Sequence, residues 1–325
     1  MRSLILALGA LAVLAAAVVS PPAQTIPAAG MPWVGYLADG PSPDALVPFR
    51  QALREHGWVE GENVGIAYRY ARGKAERFPE VAAELVRERV GVIVADGAPA
   101  VTAARGASAS VPIVMTLVGD PVAAGLVRSL TRPGGNVTGV ATFSPQASAR
   151  RLALIRQILP TLATLAILWN PKNRALLPEV GATQAVAHAG GLRVVLVEVP
   201  GPRDVGNVFA AMKEAGAGAL LVLEPVGPVS QKRIAATAVK RQVPTFWTQG
   251  ELLDLGGVLA YGAATGDVFR RAAALVDRIL RGAKAGDLAV ERAPRFELTV
   301  NLAAARELGL AIPREVYGRA DRVIR

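Results

Sequence analysis

The side chains able to do chemistry in this sequence gather at the ends of short apolar runs. Asp39-Gly40 follows Trp33–Leu37, Asp96-Gly97-Ala98 follows Val90–Ala95, and Thr116 with Gly119-Asp120 closes a run that starts at Pro112. Further on, Asn170 follows Ala166–Trp169, Glu224-Pro225 follows Ala219–Leu223, and Thr248-Gln249 follows Val243–Trp247. Tyr261 ends the run from Val258. Carboxylates, amides and hydroxyls so placed can grip the polar ends of a small solute, and Trp247 and Tyr261 can stack on a ring or cover an aliphatic group. Ala98-Pro99 opens a helix, whose free N–H groups suit a ligand carboxylate. Plainer roles compete: Asp120 and Asn170 as turn or helix caps, and Thr116, Trp247 and Tyr261 as core.

Several chemistries are missing. The chain has 325 residues, no Cys and 2 His. Thiol nucleophiles, disulfides and Cys-ligated metals are excluded, and a histidine-rich metal site is not expected. His56 and His188 both stand at predicted helix ends, where the negative helix terminus favours a partly exposed imidazole. No Gly-x-x-x-x-Gly-Lys-Ser/Thr loop occurs, and Pro133-Gly134-Gly135-Asn136 leads into a strand, so it reads as a connector turn and not as a pyrophosphate cradle. Asp267 and Asp277 read as a solvated helix face. No enzyme activity and no cofactor are expected. The formal charge of +10 comes from 36 Lys+Arg against 26 Asp+Glu, spread as singles and pairs such as Arg150-Arg151 and Lys240-Arg241. That scatter is a solvated basic surface, not a nucleic-acid footprint.

The elements that position these groups alternate strand and helix. Strands are expected at Trp33–Leu37, Val64–Tyr70, Val90–Ala95 and Pro112–Leu117, with helices at 44–56, at 75–88 and from Pro99. The order then recurs. Strands at Ala166–Trp169, Leu192–Val199, Ala219–Leu223 and Val243–Trp247 enclose helices at 177–188, 205–215 and 231–241. Val34–Leu37 and Ala166–Trp169 are offset by 132 residues, as are His56 and His188, and Val111-Pro112 and Val243-Pro244. A paired-lobe α/β architecture follows, with parallel sheets covered by helices on both faces. Ligands in such sheets lie beyond the carboxyl ends of the strands, where the polar residues above are found. The expected domains are an N-terminal lobe at 31–142, a C-terminal lobe at 143–262, and crossover segments at 263–325 that complete both lobes through a multi-strand hinge.

Residues 1–30 read as an address. Met1-Arg2-Ser3 precedes an unbroken apolar run of 16 residues, Leu4 to Val19, and then Ser20-Pro21-Pro22. This is the layout of a secretory signal peptide, shorter than the roughly 20 residues of a comfortable membrane span. An exported, periplasmic protein is expected, with an uncleaved anchor as the alternative.

Certain short motifs carry a resemblance. Gly119-Asp120-Pro121-Val122, Pro133-Gly134-Gly135-Asn136-Val137-Thr138-Gly139-Val140, Leu168-Trp169-Asn170-Pro171, Ala260-Tyr261-Gly262 and Val300-Asn301-Leu302 occur in an order and spacing that resembles the ABC-transporter substrate-binding family that includes tryptophan- and tyrosine-binding proteins. The resemblance runs from about Pro32 to Pro313. It implies a type I periplasmic-binding fold built of two Rossmann-like lobes. It also implies a small solute, such as an aromatic or branched-chain amino acid, trapped between the lobes and delivered to a membrane permease driven by a separate ATPase. A monomer is expected. Relatives carry Asp and Ser/Thr groups on the second-lobe loops. Here those loops read Leu223-Glu224-Pro225-Val226-Gly227 and Trp247-Thr248-Gln249-Gly250-Glu251, which leaves Glu224 as the substitute partner for an ammonium. The alternatives are a periplasmic sensor that feeds a membrane receptor, and a two-lobe nucleotide-sugar enzyme.

Overall fold

A computed structural model describes residues 30–198, 205–223 and 228–325. The proposed signal segment and Glu224 lie outside the described residues. Thirteen strands and ten α-helices are described. The first half contains β1 (Trp33–Ala38), α1 (Pro43–Glu55), β2 (Gly65–Tyr70), α2 (Phe78–Arg87), β3 (Val92–Asp96), α3 (Ala98–Ala107), β4 (Ile113–Val118) and β5 (Val137–Ala141). Next come α4 (Pro145–Ile158), β6 (Thr164–Trp169), α5 (Leu177–Ala189), β7 (Arg193–Glu198), α6 (Val205–Ala215), β8 (Ala219–Val222), α7 (Pro228–Lys240), β9 (Thr245–Trp247) and β10 (Leu259–Ala263). The chain ends with α8 (Thr265–Leu280), β11 (Glu291–Arg292), β12 (Phe296–Asn301), α9 (Leu302–Glu307), α10 (Arg314–Tyr317) and β13 (Arg322–Ile324).

The strands form two sheets. One has the order β11-β5-β4-β3-β1-β2 and the other β13-β12-β10-β9-β8-β6-β7. The run β2-β1-β3-β4-β5 of the first matches β7-β6-β8-β9-β10 of the second, so the internal repeat read at offset 132 is a repeat of topology. All pairings are parallel except that of β10 with β12. Parallel strands connected by helices must bury both faces, and each sheet carries a separate apolar cluster on each side.

Helices sort by the spacing of their apolar residues. In α1, Leu46, Phe49 and Leu53 share one face and pack with Val268, Phe269, Ala272 and Val276 of α8. Each such side chain adds roughly 1.5–3 kcal/mol on burial. Thus α8, which follows a strand of the second sheet, belongs to the first lobe. Three described segments cross between the lobes: 142–144 between β5 and α4, Ala264 between β10 and α8, and 293–295 between β11 and β12.

The sequence reading omits α4, α10, β11 and β13. Helix α4 is signalled locally: the Ser144 side chain caps it by accepting from the Ala147 N–H, and Pro145 fills the first turn. Its apolar pattern is broken by the buried Arg151, which reads as a surface residue. Arg151 donates from Nε to the Tyr261 carbonyl at 2.9 Å and pairs with Glu179 at 2.9 Å, which satisfies its charge inside the protein. Asp267 and Asp277 are also not the plain solvated face expected of them. Asp277 accepts from the Trp58 indole and pairs with Arg281, and Asp267 pairs with Arg270 and Arg295.

Candidate functional site

The carboxyl ends of β1, β3 and β4 bring Asp39, Asp96 and Thr116 to one place in the first lobe. Alternation along β3 puts Asp96 on the same face as Val92 and Val94, which is the face Tyr36 occupies on β1. Asp96 keeps some contact with solvent but is hemmed in by protein, as expected of a group on the floor of a cleft. Burial pushes its carboxyl up to about 7 from 3.8. The hydrogen bond from Thr116 opposes that shift, and the charges of Glu251 and Asp39 reinforce it. Thr116 itself is fully buried. Its hydroxyl donates to Asp96 Oδ1 at 3.0 Å, so it orients the carboxylate and does not reach the cleft.

Asp39 accepts from the Gly73 N–H at 2.8 Å through Oδ1, while Oδ2 is buried without a partner. Burial raises its pKa, against the lowering effect of that hydrogen bond. The Tyr36 hydroxyl is likewise buried and unpartnered. Burial raises its pKa, and the nearby Asp96 charge raises it further. Tyr36, Tyr68 and Tyr70 form an aromatic group beside these acids, with ring centroids 5.9–6.4 Å apart. Gly97 turns the chain from β3 into α3 with φ +81, a conformation that favours glycine, and thereby brings the first turn of α3 next to Asp96. Gly40 forms an open turn with no close neighbour at its Cβ position.

The second lobe contributes Glu251. It lies on the short 3-10 helix at Gly250–Leu255 after β9, and its charge reaches both Asp96 and Glu297 of β12. Gln249 caps that turn without a side-chain bond and stays half-exposed at the rim. Asn170 is half-buried, and its Oδ1 accepts from the Lys172 N–H at 3.0 Å, so the turn occupies it. Asp120 behaves the same way, accepting from the Val122 and Ala123 N–H groups. Gly119-Asp120 nevertheless has an inter-lobe role. The Asp120 N–H donates to the Ala175 carbonyl of the second lobe at 3.0 Å, and a Cβ on Gly119 would stand 2.7 Å from that oxygen.

One aromatic expectation is corrected. Trp247 does not face the cleft; it is wholly buried in the second lobe and donates to Thr245 Oγ1 at 3.1 Å. Both faces of β9 are buried, so a strand-end position does not put its side chain in the cleft. Tyr261 is half-buried at the end of β10, where it lies against the core cluster on the opposite face of that sheet and stacks on Phe296 at 6.2 Å. Sequence reasoning did not single out Tyr36 or Glu297 as site residues, because both lie inside strands. It quoted Glu251 only within its loop, although a carboxylate after a strand was a usable signal.

A surface hollow of about 270 Å³ lined by Leu159, Thr161 and Gly218 lies at the amino ends of β6 and β8, away from these groups. A second, of about 210 Å³, lies beside Trp58 and Arg50. Neither contains the convergent carboxylates of the strand ends. Among the described residues, no group of three or more His, Asp or Glu is placed to hold a metal ion. No described helix is long and apolar enough to cross a membrane.

Two doubly wound lobes with polar groups converging from both on the space between them define a solute-binding protein of the type I periplasmic class. Residues 35–324 match the family of ABC transporter substrate binding proteins, and the chain belongs to that family. A tyrosine-binding protein of Clostridioides difficile is 24% identical over 269 residues, 82% of this chain and 77% of that one. A conserved domain protein of Vibrio cholerae has a solved structure that superposes with a TM-score of 0.82 at 27% identity, covering 90% of this chain and all of its own. The ABC domain of Streptococcus pneumoniae in complex with L-Trp superposes with a TM-score of 0.83 at 23% identity, covering 91% of this chain and 100% of its own. The protein is therefore a solute-binding protein of an ABC transporter. Its family and neighbours are binding proteins, and the family is typically extracytoplasmic.

Proposed function

We propose that the cleft captures an amino acid, with the ligand ammonium held between Asp96 of one lobe and Glu251 of the other. The observation that carries this reading is the meeting of carboxylates from the two lobes: Asp96 at the end of β3, held by the Thr116 hydroxyl at 3.0 Å, lies within charge range of Glu251 on the segment after β9. Two like charges facing each other oppose approach of the lobes. A cation placed between them turns repulsion into attraction, so it binds the closed arrangement better than the open one. The first turn of α3 offers N–H groups at Ala98 and Ala100 for the ligand carboxylate, while Pro99 has none to offer. The relatives named for tyrosine and L-Trp support the amino-acid class. The protein does no catalysis on this reading. It is exported by its N-terminal segment, works as a monomer, and hands its solute to a permease and ATPase.

Thermal unfolding against a panel of amino acids, sugars, purines and short carboxylates tests this. A ligand at about 100 times its Kd adds roughly 2.7 kcal/mol of stability. The expected responders are amino acids, and Asp96→Asn and Glu251→Gln each abolish the response. A response confined to solutes without an amine would discard the reading.

A further inference from the structure

The ladder between β4 and β5 is irregular where β4 reaches its carboxyl end. Met115 pairs with Gly139 and Val118 with Ala141, so Thr116 and Leu117 together stand opposite Val140, one residue more than a regular ladder holds. Leu117 has φ +48, a left-handed backbone that is strained for a bulky side chain and normally falls to glycine. The other described non-glycine residues of this kind, Arg72, Arg89 and Gln242, stand in turns outside the strands. The extra residue changes the direction of the side chain. Ile113 and Met115 belong to the apolar cluster on one side of the sheet, and plain alternation would put Leu117 with them. It packs instead against the cluster on the other side, with Val92, Val94 and Val114, and that is the side of Asp96. Asp96 is in register with Thr116, so Leu117 stands one position beyond it on the neighbouring strand.

Leu117 is also the one residue of β4 that is not buried. Its counterpart 132 residues on in the second repeat is Gln249, half-exposed with an ordinary extended backbone at φ −126. The strain therefore belongs to the first lobe alone and falls on the single uncovered side chain of the strand, where packing within the chain does not account for it.

We propose that Leu117 is a specificity-determining residue of the solute site, its isobutyl group forming an apolar wall beside Asp96 against which the solute's side chain lies. This rests on the amino-acid reading above. Neighbouring strands stand about 4.8 Å apart, so an amino acid whose ammonium is held at Asp96 has its side chain within reach of Leu117. Contact there favours a carbon side chain and leaves a charged one without a partner.

Titration calorimetry of the full chain with glycine, L-leucine, L-tryptophan, L-tyrosine and L-glutamate, together with thermal unfolding, tests the proposal. The parent should bind the best of leucine, tryptophan and tyrosine at least about tenfold tighter than glycine or glutamate, the factor expected for burial of an apolar side chain. Leu117→Gly removes the isobutyl group and relieves the left-handed backbone. It should erase most of that preference while the melting temperature stays within about 3 °C of the parent. Leu117→Asn, which also tolerates that backbone, should show the same loss, and Leu117→Met, which keeps an apolar wall, should hold the Kd within about threefold. A Leu117→Gly protein that melts lower and binds as tightly as the parent would make Leu117 ordinary packing and overturn the proposal. A parent that prefers glycine or glutamate would also overturn it and leave the amino-acid reading intact. Binding of none of the five would overturn both.

Discussion

Replacing Asp96 by Asn should stabilise the empty protein and abolish its capture of solute. In the unfolded chain this carboxyl ionises near 3.8, and in the folded protein near 7. Between those values the folded state keeps a proton that the unfolded state has lost, so stability falls as pH rises through the window. A span of about three pH units, at about 1.4 kcal/mol each, sets an upper bound of roughly 4 kcal/mol above pH 7. Asp96 keeps some solvent contact, which screens its charge, so about 1–2 kcal/mol is the expected effect. Asn has nearly the same shape, can still accept the Thr116 hydrogen bond through Oδ1, and does not ionise. At pH 8 the Asp96→Asn protein should melt roughly 2–6 °C above the parent. At pH 4, close to the unfolded-state value, only part of the unfolded population has lost the proton, so the gain should shrink to about 0.5 kcal/mol or less. Differential scanning calorimetry without solute reads both values. A variant less stable than the parent at pH 8, or one with the same gain at pH 4 and pH 8, would refute the reasoning.

Other expectations concern the lobes and their cores. Gly119→Ala places a Cβ 2.7 Å from the Ala175 carbonyl and should weaken solute binding about tenfold by keeping the lobes from meeting, with an increase in the radius of gyration measured by small-angle scattering. An unchanged Kd and radius would remove that contact from the account. Trp247→Phe should lower stability by about 1–3 kcal/mol through lost packing and leave the Kd within twofold, since the ring is in the core and not in the cleft; a tenfold loss of affinity would restore Trp247 to the site. Arg151→Ala should cost about 3–5 kcal/mol in denaturant unfolding, because Glu179 would be left as a buried charge without its partner; a loss below 1 kcal/mol would mean that water satisfies Glu179.

The sequence made the architecture legible because parallel α/β lobes write strongly periodic signals. Runs such as Val92–Val94 and Leu165–Leu168 are apolar throughout, and the helices between them carry single apolar faces. The repeat at offset 132 even anticipated equal strand orders. The tail of the chain was harder to read. Strand β11 spans two residues and pairs with the first sheet, β13 spans three at an edge of the second, and neither has room for a periodic pattern. Placement of the site was half legible. The positions of Asp39 and Asp96 at strand ends were legible, and the structure brings the two carboxylates within charge range of each other. Trp247 stands in the core because both faces of β9 are buried, and a strand-end position alone does not encode which side chain meets the cleft. Tyr36 was missed for the opposite reason: a strand-interior tyrosine reads as core, and only the orphaned hydroxyl beside Asp96 distinguishes it.

The central claim is that a solute ammonium enters between Asp96 and Glu251. Its most direct test is calorimetry of the tightest-binding amino acid at pH 6 in two buffers of different ionisation heat. A cation beside Asp96 stabilises its ionised form and drives off its proton. The account predicts release of close to one proton on binding, and a Kd that tightens as pH rises from 5 to 8. Binding with no proton release and a pH-independent Kd would contradict it.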